Sequence, residues 1–452
     1  MKVLFVNAPF VRYHNEFKDL GFRFGLSQAV RKYRKLLGKG LYTYFSSKLS
    51  GYRYGVRAGS RWPWTLSKPH RAAPYPFIMG YAASLLKEKG FAVNVLDAVA
   101  EGVYSYKKFL KQVKKENADI VVVECSTPTI EIDLWVANAI SDFTEVALAG
   151  PHLVDRETQR IKQNNPRITY FLKGEYINSA LQMAQTREPG IYPSQVITDL
   201  DSVPFPFRDY DSSTKYFDPT MPTEKPQLQI YASKGCPFKC SFCLWPQTMY
   251  QGKVTLRSPE KVVEEINHCV DRYGYRSIFF DDDTFNVGTD RISRLCDHLK
   301  QINLPWTMMG RLDCSPDWLY DKMVDCGCVG MRFGVETFNL GVLKRISKGL
   351  ERVDFRKTLE HISQKYPELM IHLTMMKDLP GQSEAIHQED MRILDELGYS
   401  LENRLRNYQL AACVPFPGTQ LYKDLVHEKG EAALQDFTKY DGSQDTIMKD
   451  LL

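Results

Sequence analysis

The sequence predicts an α/β protein built from two successive strand–helix modules, the first of them a doubly wound, Rossmann-like parallel sheet. Short apolar runs alternate with amphipathic helical patterns from residue 77 to 172, and again from residue 228 to 411. A stretch rich in proline and acidic residues, 189–226, separates the two series. Strands that alternate with helices at this spacing form parallel sheets, because each connecting helix packs back onto the sheet.

The first module is predicted from its alternating elements. Lys2–Asn7 is its first strand, and the helical spacing of residues 77–89 ends at Gly90. Further strands are expected at 91–96, 118–124, 145–149 and 168–172, with helices at 104–116 and 130–141. Doubly wound sheets bind ligands beyond the carboxyl ends of their strands. The loops expected there are 97–102, 125–129 and 150–152.

The composition is that of an ordinary globular protein. The 452 residues are 43% hydrophobic and 25% charged, and the ten cysteines do not form the dense pattern of a disulfide framework. We therefore expect a reducing, cytoplasmic compartment. Residues 1–7 are a strand rather than a leader peptide, and no apolar run approaches the length of a membrane span.

A basic stretch interrupts the first module. Residues 25–72 contain eleven Lys or Arg and no Asp or Glu, although the whole chain has a net charge of only +5. Three interpretations stay open: a solvated charged face, a clamp for an anionic substrate or carrier, and contact with an anionic membrane surface. The mild overall charge and the lack of a recognised module argue against nucleic acid as a partner.

The second module begins with a cysteine motif. Cys236, Cys240 and Cys243 follow the first strand of this module in the pattern C-x3-C-x2-C. Three thiolates on one loop can bind three irons of a cubane cluster and leave the fourth iron open. Structural zinc and unrelated buried thiols are the alternatives. Zinc is disfavoured because no second C-x2-C exists and no histidine lies within twenty residues of Cys243.

With Phe242 as an aromatic residue in the second gap, this motif resembles that of the radical S-adenosylmethionine (SAM) superfamily. The resemblance implies a [4Fe-4S] cluster whose open iron holds the amino and carboxylate groups of SAM. It also implies that the second module is a partial (β/α)6, TIM-like barrel. The six expected strands are 228–232, 277–281, 306–311, 330–335, 370–376 and 406–411.

The same resemblance implies SAM-binding residues at the carboxyl ends of these strands. The motifs that carry it are the acidic run 281–285, Gly334 to Thr337, and Leu379-Pro380-Gly381, which departs from the family pattern at Asp378, where glycine is usual. The implied SAM contacts are Phe242, Asp282, Asp283, Arg311, Glu336, Thr337 and Pro380.

The loops of the first module resemble those of the cobalamin-binding domain that precedes many radical SAM cores. In the window Asp97 to Gly102, Val99 stands where cobalamin mutases have a cobalt-binding histidine, so the resemblance implies cobalamin without a histidine axial ligand. A different nucleotide, or no ligand, stays open, although no G-x-G-x-x-G follows the first strand. The implied cobalamin contacts are Asp97, Val99, Gly102, Ser126, Thr127, Gly150 and His152, and the implied substrate or cobalamin rim is Arg57, Arg61 and Trp62.

These assignments predict a domain organisation. Residues 1–190 form the cobalamin-binding domain, with a basic insertion at 11–72, and residues 191–226 form an ordered but irregular linker that resembles the connector of the family. The radical SAM core spans 227–422, and a short C-terminal segment spans 423–452.

The function that the resemblance implies is a cobalamin-dependent radical SAM C-methyltransferase, which methylates an unactivated carbon through a 5′-deoxyadenosyl radical and methylcobalamin. No catalytic acid–base pair is identified, since the cofactors carry the chemistry. The alternatives are a cobalamin-using radical enzyme that oxidises, cyclises or rearranges its substrate, and a non-catalytic iron–sulfur or cobalamin carrier. The implied partners are a small-molecule or peptide substrate, which the basic stretch favours as anionic, and a flavodoxin- or ferredoxin-type electron donor.

Overall fold

The computed structural model describes residues 1–9, 11–12, 53–54, 73–103, 105–440 and 447–451. Most of the predicted basic insertion, 11–72, lies outside these residues. The described part of it is a pair of two-residue antiparallel strands, Val11–Arg12 and Arg53–Tyr54. The predicted rim residues also lie outside the described residues: Arg57, Arg61 and Trp62.

The first module is a sheet of six parallel strands in the order β2-β1-β3-β4-β5-β6. All residues of its central strand β3 are buried, as expected when helices cover both faces of a sheet. The strands are β1 Lys2–Asn7, β2 Ala92–Asp97, β3 Ile120–Glu124, β4 Glu145–Ala149, β5 Tyr170–Leu172 and β6 Gly190–Tyr192.

Strand β6 differs from the sequence prediction. The linker was expected from residue 191, but Gly190–Tyr192 pairs with β5 as the edge of the first sheet. Three residues between Pro189 and Pro193 are too few to show a strand period, so only the pairing reveals them. The described helices of this module are Phe77–Glu88, Ala98–Glu101, Tyr106–Lys115, Ile130–Ile140, Asp155–Asn164 and Ile177–Thr186.

The second module is also a sheet of six parallel strands, in the order β7-β8-β9-β10-β11-β12. Strands β7 and β12 do not pair with each other, so the barrel is open on one side. The predicted α/β class with a partial (β/α)6 barrel is confirmed. The strands are β7 Gln227–Ile230, β8 Ser277–Phe280, β9 Trp306–Gly310, β10 Cys328–Glu336, β11 Met370–Lys377 and β12 Arg406–Ala412.

Helices connect the strands of the second module. The first long one is capped at its N-terminus: the Ser258 hydroxyl accepts from the Lys261 N–H, and Pro259 is the first helical residue. Among the described residues, no helix is both long and apolar enough to cross a membrane. The described helices from residue 227 onward are Leu244–Thr248, Pro259–Tyr273, Thr289–Ile302, Asp317–Asp325, Leu340–Arg345, Phe355–Lys365, Glu384–Glu396, Gln420–Lys429 and Ile447–Leu451.

The two modules share buried contacts along one seam. Tyr75, which precedes the first long helix, donates its backbone N–H to the Gln229 side chain on β7 at 2.5 Å. Its hydroxyl donates to the Phe207 carbonyl at 2.7 Å, and the Arg208 guanidinium lies 4.0 Å from the centre of its ring. The segment between the modules is therefore packed into the seam.

The C-terminal segment packs on the first module as well as the second. Its apolar side chains share one core with the first sheet and with the carboxyl-terminal part of the barrel. The sequence predicts only a short polar tail here, because these apolar residues follow no regular period. Those buried in this core are Leu425, Leu434, Phe437, Tyr440, Ile447, Met448 and Leu451.

Candidate active site

The cysteine motif lies on a loop that begins at Gly235, just after the short strand Ser233–Lys234. Gly235 has a φ of +83°, and a Cβ there would lie 2.1 Å from the carbonyl oxygen of Lys253. Only glycine permits so close a backbone approach. Along this loop Cys240 is buried, whereas Cys236 and Cys243 are half-buried.

Gln247, four residues beyond the last cysteine, holds the second half of this loop. Its amide nitrogen donates to the backbone carbonyls of Cys240 and Cys243 at 3.0 and 2.8 Å. The Ser241 N–H donates to the Ile346 carbonyl at 2.9 Å, which fixes the loop against the segment after β10. The sequence analysis missed Gln247, because a polar residue on a short helix has no distinctive signal.

The loop fits an iron–sulfur cluster better than a zinc ion. No three His, Cys, Asp or Glu side chains in the described ranges lie close enough together to hold one metal ion. A zinc site places all its ligands around a single ion, whereas each cysteine of a cubane binds a different iron. Burial raises the pKa of the Cys240 thiol, and the nearby Lys348 and Arg311 offset only part of that rise.

Asp282, one of the predicted SAM contacts, connects the first two strands of the barrel. It is fully buried, and its two oxygens accept from the Ala232 N–H at 2.9 Å and the Ser233 hydroxyl at 2.5 Å. Burial raises the pKa of Asp282 to about 7. The Asp282 carboxyl group therefore stabilises the residues that lead into the cysteine loop, and it is not exposed at the surface of that loop.

Asp283 and Thr284 contact the cysteine loop itself. The Asp283 carboxylate accepts from the Gly235 N–H at 3.0 Å, and the Thr284 hydroxyl lies 3.2 Å from the sulfur of Cys236. Asp283 is half-buried, in contrast to Asp282. Of the two predicted aspartates, Asp283 is the one beside the loop.

Arg311 directly follows β9, and its side chain contacts the cysteine loop. Its guanidinium lies 3.5 Å from the centre of the Phe238 ring on the cysteine loop. Two of its nitrogens donate to the Asp313 carboxylate at 2.9 Å each, and a third donates to the Lys348 carbonyl at 2.8 Å. The paired carboxylate and the stacked ring hold the guanidinium in one orientation.

Glu336, at the end of β10, forms a buried ion pair with Lys348 at 2.7 Å. Burial by itself lowers the pKa of Lys348, but Glu336 and Cys240 together raise it above its ordinary value. A Cβ at Gly334 would lie 2.9 Å from both charged groups, so glycine leaves the space for the pair. The sequence analysis identified Glu336 but missed Lys348.

The other predicted SAM contacts lie around this pair. The Thr337 hydroxyl donates to the Asp390 carboxylate at 2.7 Å, and Pro380 is half-buried in the turn after β11. Asp378 has a φ of +58°, a left-handed conformation that explains why glycine is usual at this place in the motif. Phe242 is partly buried against the core that the C-terminal segment shares with the first sheet.

A row of three polar residues runs across neighbouring strands of the barrel. Arg332, His372 and Asn407 occupy paired positions on β10, β11 and β12. Arg332 donates to Asp218 at 2.7 Å, and the His372 Nδ1 lies 2.5 Å from the Asn407 side-chain oxygen. Burial, then the charge of Arg332, lowers the pKa of His372 to about 4, so the imidazole is neutral. The sequence analysis identified none of these residues, because they belong to three separate strands.

Asp97 organises the first candidate cobalamin loop. One carboxylate oxygen caps the following short helix by accepting two backbone N–H groups at 3.0 Å. The other accepts from the Asn7 amide at 3.0 Å and the Tyr216 hydroxyl at 2.9 Å. Val99 is buried in that helix, and Gly102 ends it with a φ of +68°. This loop offers an apolar side chain, not an imidazole, at the position of the mutase histidine.

The second and third loops meet at Gly150. A Cβ at this residue would lie 2.2 Å from the Cys125 carbonyl, so glycine permits the close approach of the two loops. Ser126 is buried, and its hydroxyl lies 2.9 Å from that of Thr129. The predicted contacts on β2, β3 and β4 thus lie along one edge of the sheet.

His152 is fully buried at the same edge. Its Nδ1 lies 3.0 Å from the Thr127 hydroxyl, and its ring packs edge-on against Phe437 of the C-terminal segment with 4.9 Å between centroids. Burial, then the charge of Arg160, lowers the pKa of His152 to about 3, so it is neutral. The C-terminal segment therefore covers part of the predicted cobalamin loops, which the sequence did not indicate.

Comparisons with known proteins agree with this geometry. Residues 230–391 match the profile of the radical SAM superfamily. The chain is 24% identical over 377 residues to the uncharacterized methyltransferase PH0819 of Pyrococcus horikoshii, covering 77% of this chain and 78% of that protein. It is 23% identical over 431 residues to the cytidylyl-2-hydroxyethylphosphonate methyltransferase of Streptomyces wedmorensis, covering 78% of each.

The fold is similar to that of a solved radical SAM methyltransferase, TsrM from Kitasatospora setae. The TM-score is 0.62 at 16% identity, over 78% of this chain and 73% of that one. The cysteine loop and the open barrel agree with a radical SAM domain over the matched residues 230–391. The two relatives are named as methyltransferases, and the chain shares the fold of a radical SAM methyltransferase that has been solved.

Proposed function

We propose that this enzyme transfers a methyl group to an unactivated carbon of a small molecule, with a [4Fe-4S] cluster, SAM and cobalamin as cofactors. One observation carries most of the weight. Cys240 is buried beside two cations, Lys348 and Arg311, at the carboxyl ends of the strands of an open barrel. The two cations partly offset the cost of ionising a buried thiol, and the open side of the barrel would admit SAM and an organic substrate.

The chain's own residues hold and orient the reactants. Cys236, Cys240 and Cys243 would bind the cluster, while Asp283 and Glu336 present carboxylates beside it. When bound, the cluster and SAM supply radical chemistry, and the corrinoid supplies the methyl carrier. The packed seam between the modules would exclude water, which protects reactive species.

Cobalamin would lie at the edge formed by the loops after β2, β3 and β4, without a histidine ligand to cobalt. Two observations support this finer proposal. Val99 supplies no ligand atom, and the His152 imidazole is buried against Phe437 with its Nδ1 beside Thr127. We assign residues 1–192 to this domain, since Gly190–Tyr192 pairs within its sheet. We assign 193–226 to the linker, 227–422 to the radical core and 423–452 to a C-terminal segment.

The substrate would enter the barrel and meet the polar row of Arg332, His372 and Asn407. Related proteins illustrate the range: one is named for a cytidylyl phosphonate, and TsrM has been solved with tryptophan. The Asp218 carboxylate balances the charge of Arg332. The pair is neutral overall, so the polar row would meet an uncharged polar part of the substrate.

The proposal is tested with protein reconstituted anaerobically with iron, sulfide and cobalamin, then incubated with SAM, dithionite and candidate small-molecule substrates. We expect iron and sulfide near four per chain, as a [4Fe-4S] cluster requires, together with 5′-deoxyadenosine and S-adenosylhomocysteine. The Cys240→Ala variant should lose both the cluster and 5′-deoxyadenosine. Formation of 5′-deoxyadenosine with a product that gains no methyl group would favour oxidation or rearrangement. A wild-type protein that binds its cofactors but never cleaves SAM would be a carrier.

A further inference from the structure

We propose that one helix of the first module, Tyr106–Lys115, binds an anionic phospholipid surface. The helix contains five lysines and no acidic residue, and all five lysine side chains are exposed. Its large apolar side chains are buried in the core of the first module, so the lysines occupy the face that is turned to solvent. We call it the lysine helix, and its cations are Lys107, Lys108, Lys111, Lys114 and Lys115.

The positive charge of the lysine helix is not neutralised by its neighbours. Within the described ranges, none of its five lysines forms an ion pair with a carboxylate. Glu116, the acid that follows the helix, is paired with Lys2 at 2.8 Å, and the exposed Glu131 on the next helix lies beyond ion-pair distance. Other surface helices pair their own cations, as Lys261 does with Glu264 at 2.7 Å. An unneutralised patch of one sign attracts partners of the other sign.

This arrangement of charges lowers the stability of the helix that carries it. Lys107 and Lys108 lie in the first turn, where the helix dipole disfavours cations and where this helix has no acid. Lys107, Lys111 and Lys115 follow one another at intervals of four residues, and like charges at that spacing repel each other. A sequence that breaks local rules of stability without a local gain points to a functional surface. The lysines are therefore better explained by a partner than by the needs of the helix.

The shape and chemistry of the patch favour a lipid surface as that partner. The lysines extend over ten residues, or about 15 Å of helix, and four to eight cations on one amphipathic helix are typical of binding to anionic lipids. Lysine lacks the planar fork with which arginine binds a single carboxylate or phosphate, so a continuous anionic surface fits better than one small anion.

An exposed aromatic ring beside the lysine helix supports the same choice. Trp135, on the neighbouring helix Ile130–Ile140, is 40% exposed and packs edge-on against Tyr106, with 5.4 Å between ring centroids. Tryptophan is favoured at the boundary between lipid and water, because its ring is apolar and its N–H is polar. The patch thus combines cations for the phospholipid headgroups with an aromatic ring for the interface.

The test is sedimentation of the purified, reconstituted full chain with vesicles. One set of vesicles is phosphatidylcholine alone, and the other is an equimolar mixture of phosphatidylcholine and phosphatidylserine. Lys107→Glu/Lys111→Glu reverses two cations of the lysine helix, and Trp135→Ser removes the exposed ring without a change in charge. The control, Lys300→Glu/Lys357→Glu, makes the same change in net charge on two helices of the barrel, where both lysines are exposed and no described carboxylate pairs with them. Circular dichroism checks the fold of each variant, and electron paramagnetic resonance (EPR) checks its cluster.

At moderate ionic strength, we expect the wild type to sediment with the mixed vesicles and not with phosphatidylcholine alone. The partition coefficient of Lys107→Glu/Lys111→Glu should fall at least about tenfold, because each lysine near an anionic surface adds to binding and each new carboxylate is repelled. The control variant should stay within about twofold of the wild type, because charges further than about 10 Å from the lipid are screened. Trp135→Ser should bind at least about twofold more weakly, and added salt should weaken binding of the wild type.

Three results with vesicles would overturn the lipid surface: no binding of the wild type to the mixed vesicles, equal binding to both kinds of vesicle, or an equal loss in both charge variants. Duplex DNA of mixed sequence, titrated under the same conditions, distinguishes another polyanion. If the wild type bound this DNA more tightly than the mixed vesicles, and Lys107→Glu/Lys111→Glu lost that binding, the partner would be nucleic acid and not lipid. The proposed function is judged separately, by cleavage of SAM and transfer of a methyl group.

Discussion

The Lys348 ammonium and the Glu336 carboxylate form a 2.7 Å ion pair whose members are each less than a tenth exposed. Glu336 has a φ of +70°, a conformation that an L residue adopts only when its surroundings hold it there. Gly334 leaves room for the pair, and the Lys348 carbonyl accepts from Arg311. The ends of β9 and β10 are thus joined by one charged network beside Cys240.

We predict that Lys348→Met destabilises the apoprotein by about 3 kcal/mol, because it leaves Glu336 buried without a partner. The double variant Lys348→Met/Glu336→Gln should regain most of that loss, because no unpaired charge is left. Urea unfolding of the two variants measures the difference. If the double variant were as unstable as the single one, an unpaired Glu336 would not be the cause.

Asp282 should make stability depend on pH. Burial raises its folded-state pKa from 3.8 to about 7, so folding favours the protonated carboxyl. Its contribution is therefore fully present below about pH 4 and is lost as the pH rises through about 7. Asp282→Asn, which does not titrate, should gain stability relative to the wild type over this window, by up to about 4 kcal/mol at about 1.4 kcal/mol per pKa unit.

This gain is measured as the difference in unfolding free energy between Asp282→Asn and the wild type at several pH values. The exposed Asp290→Asn variant controls for the loss of a carboxylate at the surface. A constant difference between pH 4 and 8 would show that Asp282 is ionised in the folded protein.

Gln247 should decide whether the cysteine loop retains its cluster. Gln247→Leu removes the amide that donates to the carbonyls of Cys240 and Cys243, and Gln247→Glu replaces that donor with acceptors. We expect both variants to bind less than half of the wild-type iron after reconstitution, as measured by iron analysis and EPR. Gln182→Leu, at an exposed position of the first module, should bind iron normally. Full iron occupancy in Gln247→Leu would contradict the role.

The cobalt of the bound corrinoid should have no nitrogen ligand from the protein. His152 is neutral and fixed between Thr127 and Phe437, and Val99 has no ligand atom. Reduced to cob(II)alamin in the holoenzyme, the cofactor should give an EPR spectrum that His152→Leu leaves unchanged, because no nitrogen of the protein splits the cobalt signal. Splitting that disappears in His152→Leu would identify His152 as a ligand and overturn the prediction.

Local patterns predicted most of the fold. The helical periodicity and the apolar strand runs predicted both parallel sheets. A helix buried on one face and a strand buried on two faces each produce a pattern that is visible in consecutive residues. The exceptions were short or irregular. Gly190–Tyr192 is too brief to show a period, and the apolar residues of the C-terminal segment follow none.

The candidate site was predictable only in part. Motifs with fixed spacing identified the three cysteines, Glu336 and Asp283 as candidates, and the structure places them around one loop. Gln247, Lys348 and the row of Arg332, His372 and Asn407 carry no such spacing. They become neighbours only when strands far apart in the chain pair side by side.

By itself, the sequence determined the class of the protein, because a cluster loop needs three thiolates at close spacing and parallel modules need regular alternation. The tertiary structure alone decided which charges are paired and which are not. It buries Lys348 against Glu336 and packs the ring of His152 against Phe437. Burial and pairing depend on the distance between residues that are remote in sequence, and those distances set both the pKa values and the charge of the surface.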